Sequence, residues 1–244
     1  MAKSKLVFLD TETTGLGLND RLFQVAYKYN GEVFNSFFKP PVPISIDSMV
    51  ISHITNEMVE KEKTFLDSEM KTSIQTLLEE NILVAHNASF DIKMLEKEGI
   101  KINQYIDTYK VSYYLDFQGE IPKHSLQYLR YYHNLNIFDV IAHDALGDVM
   151  VLEKLFDFYY SSLLREKKEE SLVFKEMMDI SSRALLMKKF TFGKYNGREV
   201  SEIAKEDRNY LRWLLNAKIM QRENDEEDDE NWIYTLDYYT QEEK

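Results

Sequence analysis

The sequence predicts an α/β fold in which a mixed five-stranded sheet is flanked by helices and followed by a small α+β module. Two observations carry this expectation. Three strand-like runs come first, and two more then alternate with helix-periodic segments, the order that builds a mixed sheet covered by helices. Charge then changes abruptly: residues 183–222 hold ten Lys/Arg against four Asp/Glu, whereas residues 223–244 hold one Lys against ten acids.

The elements follow in order. Lys5–Asp10 reads as a buried strand ending in polar residues, and Gly15 and Gly17 mark a turn. Leu22–Asn30 and Val33–Lys39 surround Gly31 as a hairpin. Pro40, Pro41 and Pro43 end that pair, because proline cannot continue a central ladder. Phe65–Glu79 spaces Phe65, Leu66, Met70, Ile74, Leu77 and Leu78 as a helix does. Ile82–Ala85 is a short strand, Ser89–Glu98 a helix stopped by Gly99, and Tyr105–Asp107 a further strand. Helices are expected over Ser125–Tyr132 and Asp144–Leu164. Beyond the charged break Glu166–Glu170, helical pattern resumes to about Leu186. A strand at Phe190–Phe192, a turn at Tyr195–Gly197 and a helix over Ser201–Asn216 make the small module. The expected organisation is a main domain over 1–165, a helical, charged linker over 166–187, the basic module over 188–222 and an acidic tail over 223–244.

Composition narrows the class. With 44% apolar and 13% aromatic residues in 244, the chain can bury a sizeable core without staples. The absence of Cys excludes disulfides, thiolate zinc sites and Cys nucleophiles. The apolar run Leu6–Leu9 is too short for a signal-peptide core, and nothing approaches the ~20 apolar residues of a membrane span. A soluble protein of the cytoplasm is expected, with no membrane partner. The net charge of −12 argues against nucleic acid until its distribution is considered: the basic module lies between an acidic body and an acidic tail.

Three acidic signals carry the chemistry. In Asp10-Thr11-Glu12, residues i and i+2 of a strand point the same way, so two carboxylates meet at the strand's end. They repel unless a proton or cation lies between them, and oxygen-only sites suit Mg²⁺ or Mn²⁺. In the second signal, the strand Leu83–Ala85 runs through His86 and Asn87 to Asp91 at a helix start. In the third, His143 precedes a helix that carries Asp148 one turn along, with Asp144 as its natural N-cap. A histidine beside acids is suited to moving protons near neutral pH. Each signal alone is as well explained by a solvated turn, a favourable helix N-terminus or a surface histidine.

Together, in this order and context, they resemble the DEDDh (DnaQ-like) 3′→5′ exonucleases, whose fold is similar to ribonuclease H. The four acids and the histidine of that family match Asp10, Glu12, Asp91, Asp148 and His143, over roughly residues 5–160. The resemblance implies two divalent metal ions, Mg²⁺ or Mn²⁺. It makes Asp10 the bridge between them, puts Glu12 and Asp148 on the metal nearer the water, and has Asp91 help hold the other. His143 becomes the general base, and nucleoside 5′-monophosphates the products. It also makes Thr13, Thr14, Gly15 and Leu16 contacts to the terminal nucleotide, with Leu16 as a wedge against the last base. His53, in Ile51-Ser52-His53-Ile54-Thr55, resembles a second nucleotide contact, although Ile54 stands where relatives often have Gly. Phe90 packs behind the site or touches the base, and Asn87 orders its turn.

The pieces Phe-Gly-Lys-Tyr-Asn-Gly (192–197) and Tyr-Leu-Arg-Trp-Leu-Leu (210–215) resemble the C-terminal module of exodeoxyribonuclease X-like proteins. Trp213 and Leu214 are expected in its core. Lys188, Lys189, Lys194 and Arg198 are phosphate candidates. The acidic run 223–230 reads as a disordered, solubilising tail or as one that folds over the basic module and competes with DNA, and Trp232, Tyr234, Leu236 and Tyr238 alternate behind it, to anchor as a strand or dock on a partner. The expected substrate is DNA, with single-stranded 3′ ends foremost, acted on in repair, recombination or degradation. RNA, a proofreading role beside a DNA polymerase, a repair partner, and a nuclease fold kept only as a binding scaffold are the alternatives.

Overall fold

The computed structural model describes residues 5–135, 137, 145–224 and 229–241. The chain divides into two units between Ser182 and Arg183.

In the first unit, five strands lie in the order β3-β2-β1-β4-β5. They are β1 (Leu6–Thr13), β2 (Leu22–Tyr29), β3 (Glu32–Phe37), β4 (Ile82–Ala85) and β5 (Tyr105–Asp107). The first three pair antiparallel, and β4 and β5 join β1 in parallel. This is the mixed, ribonuclease H-like sheet expected. The strand β1 is longer than its apolar run suggests: it continues to Thr13 because Asp10, Thr11 and Glu12 keep their ladder to Ala26, Val25 and Gln24.

Alternation along β1 divides the core. Leu6 and Phe8 face one layer, with Val149, Leu152 and Phe156 of α7 (Ala145–Lys167) and Val173, Phe174 and Met177 of α8 (Glu170–Ser181). Val7 and Leu9 face the other, with Ile74 and Leu78 of α3 (Glu69–Glu80) and Met94 and Leu95 of α4 (Ala88–Lys97). The segment read as a linker therefore contains a core helix, since α8 buries one apolar side.

In this unit three helices were not foreseen: α1 (Ile46–Ser52), α2 (Asn56–Val59) and α5 (Thr108–Leu115). In α1, Ile46, Val50 and Ile51 are exposed, so its pattern is not that of a core-facing helix. In α3, Ser68 caps the helix through the Lys71 amide, so Phe65 and Leu66 precede it rather than open it. The helix expected over Ser125–Tyr132 is α6 (Leu126–Tyr132), with Ser125 at its N-cap position. Among the described residues, no helix is long and apolar enough to cross a membrane.

The second unit holds α9 (Val200–Glu206), α10 (Arg208–Glu223) and α11 (Glu230–Thr240). The strand expected at Phe190–Phe192 is reduced to one bridge between Lys189 and Glu199. The single helix expected over 201–216 is two, broken at Asp207, whose carboxylate caps α10 by accepting from the Tyr210 amide. The alternating aromatics of the tail belong to helix α11 rather than to a strand. Trp232 and Leu236 are buried there, and the Trp232 ring stacks 5.0 Å from Phe190. The Thr235 hydroxyl accepts from the Met187 amide. Trp213, expected in the core, is 63% exposed, whereas Leu214 is buried.

Candidate active site

The site forms where β1 outruns its parallel neighbour. Pairing with β4 covers only Leu6–Phe8, so Asp10 and Glu12 project beyond it at the carboxyl ends of the parallel strands. Ligands of open α/β sheets gather at such ends. The i, i+2 alternation that turns Leu6 and Phe8 toward α7 turns Asp10 and Glu12 the same way. Asp148, in the first turn of α7, meets them there. One carboxylate oxygen from each of the three acids lies within 4.8 Å of the others.

Asp91 comes from the other layer. It stands in the first turn of α4 and is buried. Thr11 lies between Asp10 and Glu12 and faces the opposite way, and its hydroxyl donates to Asp91 Oδ1 at 2.7 Å. Burial pushes the Asp91 carboxyl up to about 7, the Asp107 charge pushes it the same way, and the Thr11 hydrogen bond opposes the shift. Asp107 caps α5 and accepts from the amides of Asn87 and Tyr109; burial raises it to about 6. Asn87 adopts the left-handed conformation at φ 62°, as expected of a residue that orders its turn.

The loop after Glu12 has its own frame. Thr14 is fully buried, and its hydroxyl donates to Asp20 Oδ1 at 2.6 Å. Gly17 N donates to Asp20 Oδ2 at 2.6 Å, and Lys97 Nζ donates to Gly17 O at 2.8 Å. A Cβ on Gly15 would sit 2.6 Å from Asp20 Oδ2, so any side chain there would displace the Asp20 carboxylate. The Thr13 hydroxyl donates to Gly15 O, while Leu16 is 81% exposed. The two threonine hydroxyls thus serve the loop itself, and the apolar residues it presents are Leu16 and, less exposed, Leu18. His53 ends α1 in the left-handed conformation with its side chain exposed. Phe90 packs, half-buried, against the α3–α4 core. His143 lies outside the described residues.

Two pairs of contributors escaped the sequence reading. Gln127 Nε2 of α6 donates to Asp148 Oδ1, and Arg130 Nη1 lies 3.4 Å from Gln127 Oε1 while its Nη2 donates to Ile137 O. Asp20 and Lys97 are the other missed pair. Gln127 and Lys97 act across the fold, where no local pattern marks them, whereas Asp20 binds within its own loop, three and six residues from its partners. In the second unit, Lys194 pairs with Asp207 at 3.2 Å, and Arg198 pairs with Glu202 and Glu206.

Three carboxylates that converge on one point, with oxygen donors only, suit a hard divalent cation. Such a cluster without one is repulsive.

Known proteins resemble this chain in sequence and fold. A family model described as Exonuclease matches residues 7–156, and one described as Exodeoxyribonuclease X-like C-terminal matches 190–218. The chain is 33% identical over 220 residues to exodeoxyribonuclease 10 of Escherichia coli K12, covering 86% of this chain and 90% of that one. It is 27% identical over 194 residues to the DNA polymerase III subunit epsilon of Buchnera aphidicola subsp. Schizaphis graminum, covering 70% and 78%. A solved structure of exonuclease X in complex with 5′ overhanging duplex DNA superposes with a TM-score of 0.57 at 26% identity, covering 72% of this chain and 99% of that one. Exonucleases of this kind use divalent metals, and the acidic cluster for them is present. The chain belongs to the exonuclease family and is itself an exonuclease.

Proposed function

We propose that this chain shortens DNA from the 3′ end and releases nucleoside 5′-monophosphates. The convergence of Asp10, Glu12 and Asp148 within 4.8 Å carries the reading, and the likeness to exodeoxyribonuclease 10 and to a DNA-bound exonuclease X supports DNA as substrate.

Water attacks phosphorus, the bond to the 3′ oxygen breaks, and the shortened strand leaves with its 3′ hydroxyl. Two bound Mg²⁺ or Mn²⁺ ions supply phosphate neutralisation and water activation. Asp10, Glu12 and Asp148 hold the cationic centre from the α7 side of β1, and Asp91 completes the acid set from the α4 side. His143 accepts the water's proton. The loop framed by Asp20 sets Leu16 against the terminal base, with His53 and Phe90 as further contacts. We assign catalysis to the first unit and nucleic-acid capture to the second, the division in which the basic module serves the acidic body.

A gel assay on 5′-labelled single-stranded DNA with Mg²⁺ tests this. A ladder shortening from the 3′ end, lost in Asp10→Ala and His143→Ala, is expected. Shortening that survives Asp10→Ala overturns the site. Cleavage of RNA in place of DNA overturns the substrate.

A further inference from the structure

We propose that the outer face of α10 is a stacking site for single-stranded nucleic acid, with Trp213 as its platform. The site is separate from the catalytic acids and from the phosphate contacts first read at Lys194 and Arg198.

The two tryptophans of the chain do opposite things. Trp232 is 4% exposed against Phe190 and Phe192 and closes the core of its unit. Trp213 is 63% exposed on a helix whose other face buries Leu211 and Leu214. The core therefore does not use the Trp213 ring, although tryptophan is highly buried on average. Asn209, Arg212, Trp213, Asn216 and Met220 are all exposed, at the spacing that puts residues on one helical face.

An aromatic series backs the platform. The Trp213 ring lies 5.7 Å from Tyr210, which lies 4.9 Å from Tyr195. Lys194 sits over the Tyr195 ring at 4.6 Å and is held there by Asp207. Arg198 is braced by Glu202 and Glu206. The acids of the unit that follow Arg198 thus offset those two cations, which must leave their partners to reach a phosphate. Along α10, Arg208, Arg212 and Arg222 occur with no acid before Glu223, whereas Lys218 is buried and pairs with Asp229 at 3.3 Å.

Charge decides the occupant. An apolar protein partner has no need of this cationic helix, and a strand of nucleic acid needs both parts of it. Bases stack on exposed aromatic rings, and phosphates follow the Arg side chains. Flanking amides at i−4 and i+3, Asn209 and Asn216, offer donors and acceptors to a stacked base.

The test uses the full chain in EDTA, which stops hydrolysis, with fluorescein-labelled (dT)₂₀ read by anisotropy. Trp213→Ala is expected to weaken binding about tenfold or more, the loss typical of a stacked base. Arg212→Ala should weaken it less and reduce its salt dependence. Oligonucleotide should quench tryptophan fluorescence in the wild type but not in Trp213→Ala, where Trp232 remains. Hydrolysis of a trinucleotide by Trp213→Ala with Mg²⁺ should match wild type, which separates this site from the catalytic one. An unchanged thermal midpoint controls for folding. Wild-type affinity in Trp213→Ala overturns the proposal. So does loss of self-association in that variant with DNA binding intact, which would make the face a contact between copies.

Discussion

Gln127 Nε2 donates to Asp148 Oδ1 at 2.5 Å, so a helix that contributes no acid of its own holds one of the three converging carboxylates. Arg130 extends the chain by reaching Gln127 Oε1 and the Ile137 carbonyl. Hydrogen bonds to ligating carboxylates orient them, and losing such a partner typically costs 10–100-fold in metal affinity. Gln127→Leu should raise the Mg²⁺ concentration for half-maximal activity about tenfold and leave the rate at saturating Mg²⁺ closer to wild type. A Mg²⁺ titration, with Mn²⁺ binding measured alongside, checks it. An unchanged Mg²⁺ requirement would show that the bond does not orient Asp148.

The acidic cluster trades stability for chemistry. Asp148→Asn removes one of three crowded charges, so in EDTA it should stabilise the fold by about 1 kcal/mol. It should also lower exonuclease activity at least about a hundredfold. Mg²⁺ should raise the thermal midpoint of the wild type, because ligand bound only to the folded state stabilises it, and should raise that of the variant less. Thermal scans with and without Mg²⁺ decide this.

Asp20 frames the loop that carries Leu16 without touching the acid triad. Asp20→Ala removes the acceptor for Thr14 Oγ1 and Gly17 N. Charge-assisted hydrogen bonds contribute about 1.5–3 kcal/mol, so kcat/KM on an oligonucleotide should fall about tenfold, chiefly through KM. Asp20→Asn keeps one acceptor oxygen and should recover part of the loss. A fall in kcat alone would show that the loop serves the chemical step instead.

His86 is an acid-sensitive point of the fold. Burial lowers it from 6.5 to about 4, and its Nε2 lies 2.8 Å from the His124 carbonyl. Between those values the unfolded chain binds a proton that the folded one does not, so this histidine's contribution is lost as pH falls from about 6.5 toward 4. Asp107 acts in the opposite sense: raised to about 6, it favours the fold at low pH and loses that contribution as pH rises through 6. The comparison must therefore be made against His86→Gln. The stability gap between wild type and variant should shrink by about 2 kcal/mol from pH 7.5 to pH 4.5, measured by urea unfolding at both.

Part of the acidic tail is structural. Trp232→Ala should destabilise the second unit by about 3–5 kcal/mol, the usual cost of truncating a buried aromatic. Limited proteolysis should then cut within 183–241. Deleting residues 223–244 would remove α11 as well as the acids, so it does not test competition with DNA; neutralising the acids of 225–228 does.

The sequence by itself determined the five strands of the sheet and the shared face of Asp10 and Glu12. Leu6–Leu9, Leu83–Ala85 and the hairpin around Gly31 are short apolar or alternating runs bounded by turn residues, and such signals are local. Asp10 and Glu12 share a face for the same reason: a period of two needs no tertiary knowledge. Where apolar residues do not face a core, the local signal failed. Ile46, Val50 and Ile51 hid α1, and Trp213 resembled a core residue because composition does not report which face of a helix is covered. Helix register around the break at Asp207 decides that. Tertiary structure alone decided that Asp148 joins Asp10 and Glu12 while Asp91 meets Thr11: the two layers pack on opposite sides of β1, and side-chain alternation assigns each acid to its layer. Gln127 and Lys97 belong to the same category. Their hydrogen bonds are made by elements brought together only when the sheet is covered, and no spacing along the chain encodes such a distance.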